Sequence, residues 1–122
     1  MRVLYVDDDR VQALLFTEVC RHAPGVAVET AGSGSEAVEL AGDFEPDLLV
    51  IDLHLPDTDG MALLPRLRAT LGRAAPAILC TADDAHLAGP PARAAGFDVC
   101  WTKPVDASVV IAELMRRRRA LA

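Results

Sequence analysis

Five short aliphatic runs recur along the chain: RVLYV (2–6), VAVET (26–30), DLLVI (47–51), AILC (77–80) and DVCWT (98–102). Each is too short for a helix and carries almost no polar interruption. That is the pattern of a strand covered on both faces, as the strands of parallel sheets are. Between them apolar residues return at three- and four-residue spacing, as in Val11, Leu14, Leu15 and Val19, in Met61, Leu64, Leu67 and Leu71, and in Val110 and Leu114. Such spacing lays one apolar stripe along a helix. The order βαβαβαβαβα predicts an α/β domain spanning 1–122, a doubly wound, five-stranded parallel sheet with right-handed crossovers and helices on both faces.

Punctuation between the elements agrees with this order. PG (24–25), GSGS (32–35) and AAG (94–96) supply turns. Asp9 directly precedes the first helical pattern and Asp106 the last, where a carboxylate caps free N–H groups. Two prolines intrude. Pro65 lies a few residues into the third helix and is expected to kink it or delay its start. Gly89, Pro90 and Pro91 together are poor helix-interior residues, so the fourth helix is expected to begin there and to be short.

Composition narrows the function. A length of 122 residues with 52% hydrophobic and 25% charged positions is that of one globular domain with its own core. The formal net charge of −6 argues against a nucleic-acid surface, which needs a positive footprint. Cys20, Cys80 and Cys100 are odd in number and show no C-x-x-C spacing, so they read as buried thiols of a cytoplasmic protein and not as a disulfide framework or zinc site. No apolar stretch approaches a membrane span, and the run after Arg2 breaks at Asp7, unlike a signal peptide.

In an open α/β sheet, ligands bind beyond the carboxyl ends of the strands. There the sequence places Asp7, Asp8 and Asp9 after strand one, Asp52 after strand three, Thr81 at the end of strand four, and Lys103 with Pro104 after strand five. Asp7, Asp8 and Asp52 would crowd negative charge, and a hard divalent cation relieves that conflict. Magnesium, or manganese in its place, takes oxygen ligands and keeps waters and a phosphate oxygen beside them. A carboxylate can also attack phosphorus to give an aspartyl-phosphate, with the cation, the Lys103 ammonium and the Thr81 hydroxyl meeting charge on the phosphoryl oxygens. Which carboxylate accepts is open at this level, though Asp52 is central if strand three is the middle strand.

Taken together, YVDDD (5–9), DLLVIDLHLPDTDG (47–60), ILCTAD (78–83) and AGFDVCWTKPVD (95–106) resemble the receiver domain of bacterial two-component response regulators. The likeness covers essentially the whole chain in order and spacing. It implies a flavodoxin-like fold with strand order 2-1-3-4-5, the topology of the chemotaxis receivers. It further implies that Asp52 is the phosphoacceptor, served by a sensor histidine kinase or phosphotransfer protein. Asp7, Asp8, Asp52 and the His54 backbone carbonyl would hold Mg²⁺. Thr81 would be the switch hydroxyl, Lys103 the partner of the phosphoryl group, and the Lys103–Pro104 bond cis. The side chains of His54 and Asp83 would flank the phosphoryl group and tune its hydrolysis.

The same resemblance implies a switch and not an enzyme, limited to self-phosphorylation and slow autodephosphorylation. Its partners would be a downstream effector or a covalently linked output domain, since the chain could be the N-terminal part of a longer regulator, and a homodimer through the helix 4/strand 5/helix 5 face. No direct contact with nucleic acid or membrane is expected. One position departs from the family: Cys100 stands where Tyr or Phe usually swings inward. That motivates a rival, a receiver-like binding module with phosphorylation-independent or atypical readout. A phosphohydrolase with an Asp nucleophile would need a second acid two residues on, where His54 stands. DTDG (57–60) lacks the outer ligands of a calcium loop, and Arg116–Arg119 read as solvated charge at a helix end.

Overall fold

The computed structural model describes residues 1–121, apart from the side chains of Ala85 and His86; Ala122 lies outside the described residues. The elements are β1 (Arg2–Val6), α1 (Arg10–Cys20), β2 (Ala27–Ala31), α2 (Gly34–Phe44), β3 (Leu48–Asp52), α3 (Gly60–Leu71), β4 (Ala77–Thr81), α4 (Ala85–Ala95), β5 (Val99–Thr102) and α5 (Ala107–Leu121). All strand pairs are parallel, in the order β2-β1-β3-β4-β5. This is the doubly wound, flavodoxin-like topology that the pattern and the resemblance predict.

Strand alternation divides the core between the two faces of the sheet. Leu4, Val6, Leu49, Ile51 and Leu79 join Leu63, Leu64 and Leu67 of α3, and Phe97, on one face. Val3, Tyr5, Leu48, Val50, Ile78 and Cys80 join Phe16 of α1 and Val110 and Leu114 of α5 on the other. Every residue of β3 and β4 is buried. Fully burying an aliphatic side chain of this size contributes about 1.5–3 kcal/mol, so these two strands anchor the domain. The edge strand β2 departs from the unbroken apolar pattern: Ala27 and Glu29 are exposed, because β2 pairs on one side only and solvent reaches its outer margin.

The proline expectations need correction at two points, the start of α3 and the extent of α4. Helix α3 is not delayed by Pro65, because Asp59 caps it, accepting from the Ala62 N–H at 2.8 Å, and the proline lies inside Gly60–Leu71. Helix α4 does not begin at Pro90 and is not short; it runs over Ala85–Ala95 with both prolines inside. Its first turn closes ahead of them, where the Asp84 carbonyl accepts from the N–H groups of Leu87 at 3.0 Å and Ala88 at 2.9 Å. Alanines, the best helix formers, then dominate the segment. Ala88 and Ala92 pack inward while both proline rings face solvent. The helix ends at Gly96, whose φ of +107° suits glycine.

Candidate functional site

The strand register brings the predicted polar residues to one edge. Asp52 lies opposite Cys80, and Thr81 opposite Thr102, so Asp7, Asp52, Thr81 and Lys103 all leave the sheet at its carboxyl end. Asp7, Asp52 and Thr81 are buried, whereas Asp8 is exposed. One carboxylate oxygen from each of Asp7, Asp8 and Asp52 lies within 4.8 Å of the others.

Lys103 bridges the two buried acids. Its ammonium donates to Asp7 Oδ2 at 2.8 Å and lies 3.4 Å from Asp52 Oδ2. Burial works against that charge, but the hydrogen bond to Asp7 and the two carboxylates outweigh it and raise the lysine pKa above its ordinary value. Burial in turn pushes the Asp52 carboxyl up; Lys103 pulls it down, and the neighbouring Asp7 adds to the rise. The Lys103–Pro104 bond is cis. Thr81 Oγ1 accepts the Asp83 N–H at 3.1 Å, which defines the turn into α4.

Asp9, the third acid of the run, caps α1 by accepting from Val11 and Gln12 N–H groups at 3.0 and 3.3 Å. The side chains of His54 and Asp83 meet, Nε2 to Oδ2 at 3.3 Å, both largely in solvent. Cys100 and Trp101 lie on opposite faces of β5: Cys100, half-buried, packs beside the α3 face, and Trp101 is buried on the α1/α5 face. Burial pushes the Cys20 and Cys80 thiols up to about 12 and raises Cys100 as well; Cys20 and Cys80 are buried as expected, whereas Cys100, near the margin of the sheet, is only half-buried.

Two residues that the sequence reading omits belong to the surroundings of this site. Tyr5 is buried in β1, stacked on Phe16 with ring centroids 4.3 Å apart, and its hydroxyl donates to Asp7 Oδ2 at 2.9 Å. Burial, reinforced by the Asp7 charge, pushes its phenol far above the ordinary range, so it remains a donor. A tyrosine in a strand covered on both faces needs a partner for its hydroxyl, and residues 5 and 7 share a face; that much is readable from the sequence.

Asp57 is the second. Its carboxylate accepts from the Gly34 N–H at 2.8 Å and from the N–H and hydroxyl of Ser35, each at 3.0 Å, which draws its pKa down. The turn after β3 is thereby fastened to the start of α2. Gly60 completes the turn: its N–H reaches the Leu53 carbonyl at 2.8 Å, and a Cβ there would sit 2.5 Å from the Asp52 carbonyl oxygen.

A parallel 2-1-3-4-5 sheet carrying acids, a threonine and a lysine at its carboxyl edge defines a flavodoxin-like receiver of two-component signalling. The family described as "Response regulator receiver domain" matches residues 3–115, and the chain belongs to that family. It is 38% identical over 122 residues to "Probable transcriptional regulatory protein TcrX" of Mycobacterium tuberculosis, covering 98% of this chain and 48% of that protein. It is 36% identical to "Response regulator MprA" of Mycobacterium leprae, covering 99% of this chain and 50% of the relative. The chain thus spans about half the length of the curated relatives it matches. Among solved structures, a response regulator from Burkholderia pseudomallei, described "with a phosphorylated aspartic acid, calcium ion and citrate", superimposes with a TM-score of 0.79 at 25% identity, covering 98% of this chain and 73% of that one. No helix among the described residues is long and apolar enough to cross a membrane.

Proposed function

We propose that this domain is a phosphorylation-controlled switch in which Asp52 takes a phosphoryl group from the phosphohistidine of a sensor histidine kinase or phosphotransfer protein. The observation that carries the reading is the Lys103 ammonium set between Asp7 and Asp52, with Asp8 completing a carboxylate cluster within 4.8 Å. The donor set suits Mg²⁺ or Mn²⁺: it is all oxygen, and exposed Asp8 leaves room for the waters such ions retain. Asp7, Asp8, Asp52 and, by family resemblance, the His54 carbonyl would hold the ion. When bound, it supplies positive charge to offset that on the transferring phosphoryl group.

An Asp52 oxygen attacks phosphorus, the P–N bond to the donor imidazole breaks, and its electron pair returns to the ring. Lys103 turns to a phosphoryl oxygen, and the Thr81 hydroxyl donates to another. Water later cleaves the acyl phosphate and regenerates Asp52, a step that the paired His54 and Asp83 side chains would tune. The phosphorylated aspartate described for the Burkholderia relative supports the acceptor chemistry. Movement of Thr81 acts on the turn that starts α4, and the α4/β5/α5 face would carry the signal to a linked output domain or effector and form the homodimer contact. Relatives twice this length, one named a transcriptional regulator, support an output outside residues 1–122.

The half-buried thiol of Cys100, in place of a swinging aromatic ring, favours a second reading: a receiver-like module bound by its partner whether or not Asp52 is phosphorylated. Mass spectrometry after incubation with Mg²⁺ and a small acyl phosphate tests the first reading. One phosphoryl adduct is expected on the wild type and none on Asp52→Asn; an unmodified wild type, or an equal adduct on the variant, refutes it. Equal partner binding by Asp52→Asn and phosphorylated wild type would select the second reading.

A further inference from the structure

We infer that Tyr5 is a positioning residue of this site, its hydroxyl holding Asp7 in place while Lys103 moves from Asp7 to the phosphoryl group. The inference rests on Asp52 being the acceptor and concerns a residue that lies beneath the pocket and touches neither ion nor phosphate.

The two oxygens of Asp7 are engaged unequally. Oδ1 accepts the Asp9 N–H at 3.0 Å. Oδ2 accepts twice, from Lys103 Nζ at 2.8 Å and from Tyr5 Oη at 2.9 Å. Only the lysine can leave: the N–H belongs to the backbone, and the phenol sits on a ring fixed in the core against Phe16. Asp7 is 3% exposed, so bulk water is not at hand to replace a lost donor. A buried acceptor left without its partner carries a full desolvation cost. With Tyr5 in place, Oδ2 keeps a donor after Lys103 has swung away, and the transfer proceeds without orphaning it.

Packing alone does not explain the hydroxyl. An aliphatic or phenylalanine side chain would fill the same space among Val3, Phe16, Val50 and Cys80 without needing a polar partner. Tyr5 is the chain's one tyrosine, and its hydroxyl meets Asp7, the acid that Lys103 approaches more closely of the two buried ones it bridges. Among the described residues no buried side-chain polar atom lacks a partner, so the arrangement is a satisfied network with a single exchangeable member.

Tyr5→Phe keeps the ring and its stack and deletes the hydroxyl. Two readouts test the inference. Phosphorylation by a small acyl phosphate with Mg²⁺, followed by mass spectrometry, is expected to slow about tenfold in the variant, the scale of one hydrogen bond to a charged group. In metal-free protein, the loss of unfolding midpoint on Tyr5→Phe is expected to be at least about twice as large in a Lys103→Met background, where the phenol is the remaining side-chain donor on Oδ2. A Tyr5→Phe protein that matches the wild-type rate, or additive effects in the metal-free cycle, overturns the inference. Wild type that takes no phosphate overturns the acceptor reading instead, and the metal-free cycle separates that failure from failure of the Tyr5 contact.

Discussion

Replacing Lys103 with methionine deletes an ammonium while keeping an apolar stem of similar length. At an effective dielectric of about 20, unit charges 2.8 Å apart attract by about 6 kcal/mol and those 3.4 Å apart by about 5 kcal/mol. Most of this offsets the desolvation of the lysine, so the expected net loss is that of removing one partner from a buried pair, about 3–5 kcal/mol. The lysine pKa is raised on folding, so its stabilisation is fully present below the ordinary 10.5 and lost only as pH rises through the higher folded value. At the acid end the contribution that Lys103 governs is that of Asp52, whose carboxyl is raised by burial above its ordinary 3.8. In the window between those two values the folded state holds this proton more firmly, and the contribution of Asp52 to stability falls as pH rises. Without Lys103 the window extends upward, so the deficit of the variant grows towards neutral pH. Urea unfolding followed by Trp101 fluorescence, in chelator at about pH 5 and about pH 8, measures it. A loss near 3 kcal/mol or more is expected at the higher pH, a smaller loss at the lower, and partial recovery in excess Mg²⁺ at the higher. A deficit below about 1 kcal/mol at the higher pH, or one equal at both, would refute the role of Lys103 as the charge that balances the two buried acids.

Gly60→Ala drives a Cβ to within 2.5 Å of the Asp52 carbonyl oxygen and is expected to cost about 1–3 kcal/mol in thermal unfolding; unchanged stability would show that the turn yields freely. His54→Ala removes one half of the His54–Asp83 pair, and the lifetime of the acyl phosphate, followed by phosphate release, is expected to change several-fold; an unaltered lifetime would exclude His54 from tuning.

The repeating apolar runs make the sheet legible because a parallel sheet buries both faces, and RVLYV coincides with β1 residue for residue. Caps at Asp9 and Asp106 are equally legible, since a carboxylate before an apolar stripe has one common use; Asp106 accepts the Ser108 N–H at 2.8 Å. Helix α4 defies its sequence pattern because proline rules weigh local backbone bonds, whereas Ala88 and Ala92 gain from tertiary packing that local rules omit. Asp7, Asp52, Thr81 and Lys103 converge as the strand-end rule requires. Tyr5 and Asp57 escape the sequence reading for a different reason: each acts through a partner. The Tyr5 bond follows from strand parity once that is asked of it, but the reach of Asp57 across 23 residues to Gly34 depends on how α2 and α3 lie side by side, and no local pattern encodes that.

Asp57 also makes the pocket mechanically lopsided. The wall behind Asp52 is moored to α2 by three hydrogen bonds and to α3 by the Asp59 cap, so it behaves as a fixed jaw. The facing wall, from Thr81 to Asp84, feeds a helix in which two prolines have withdrawn their own N–H donors. A load applied between the jaws is therefore taken up on the Thr81 side, and α4 is the part of the domain left to yield.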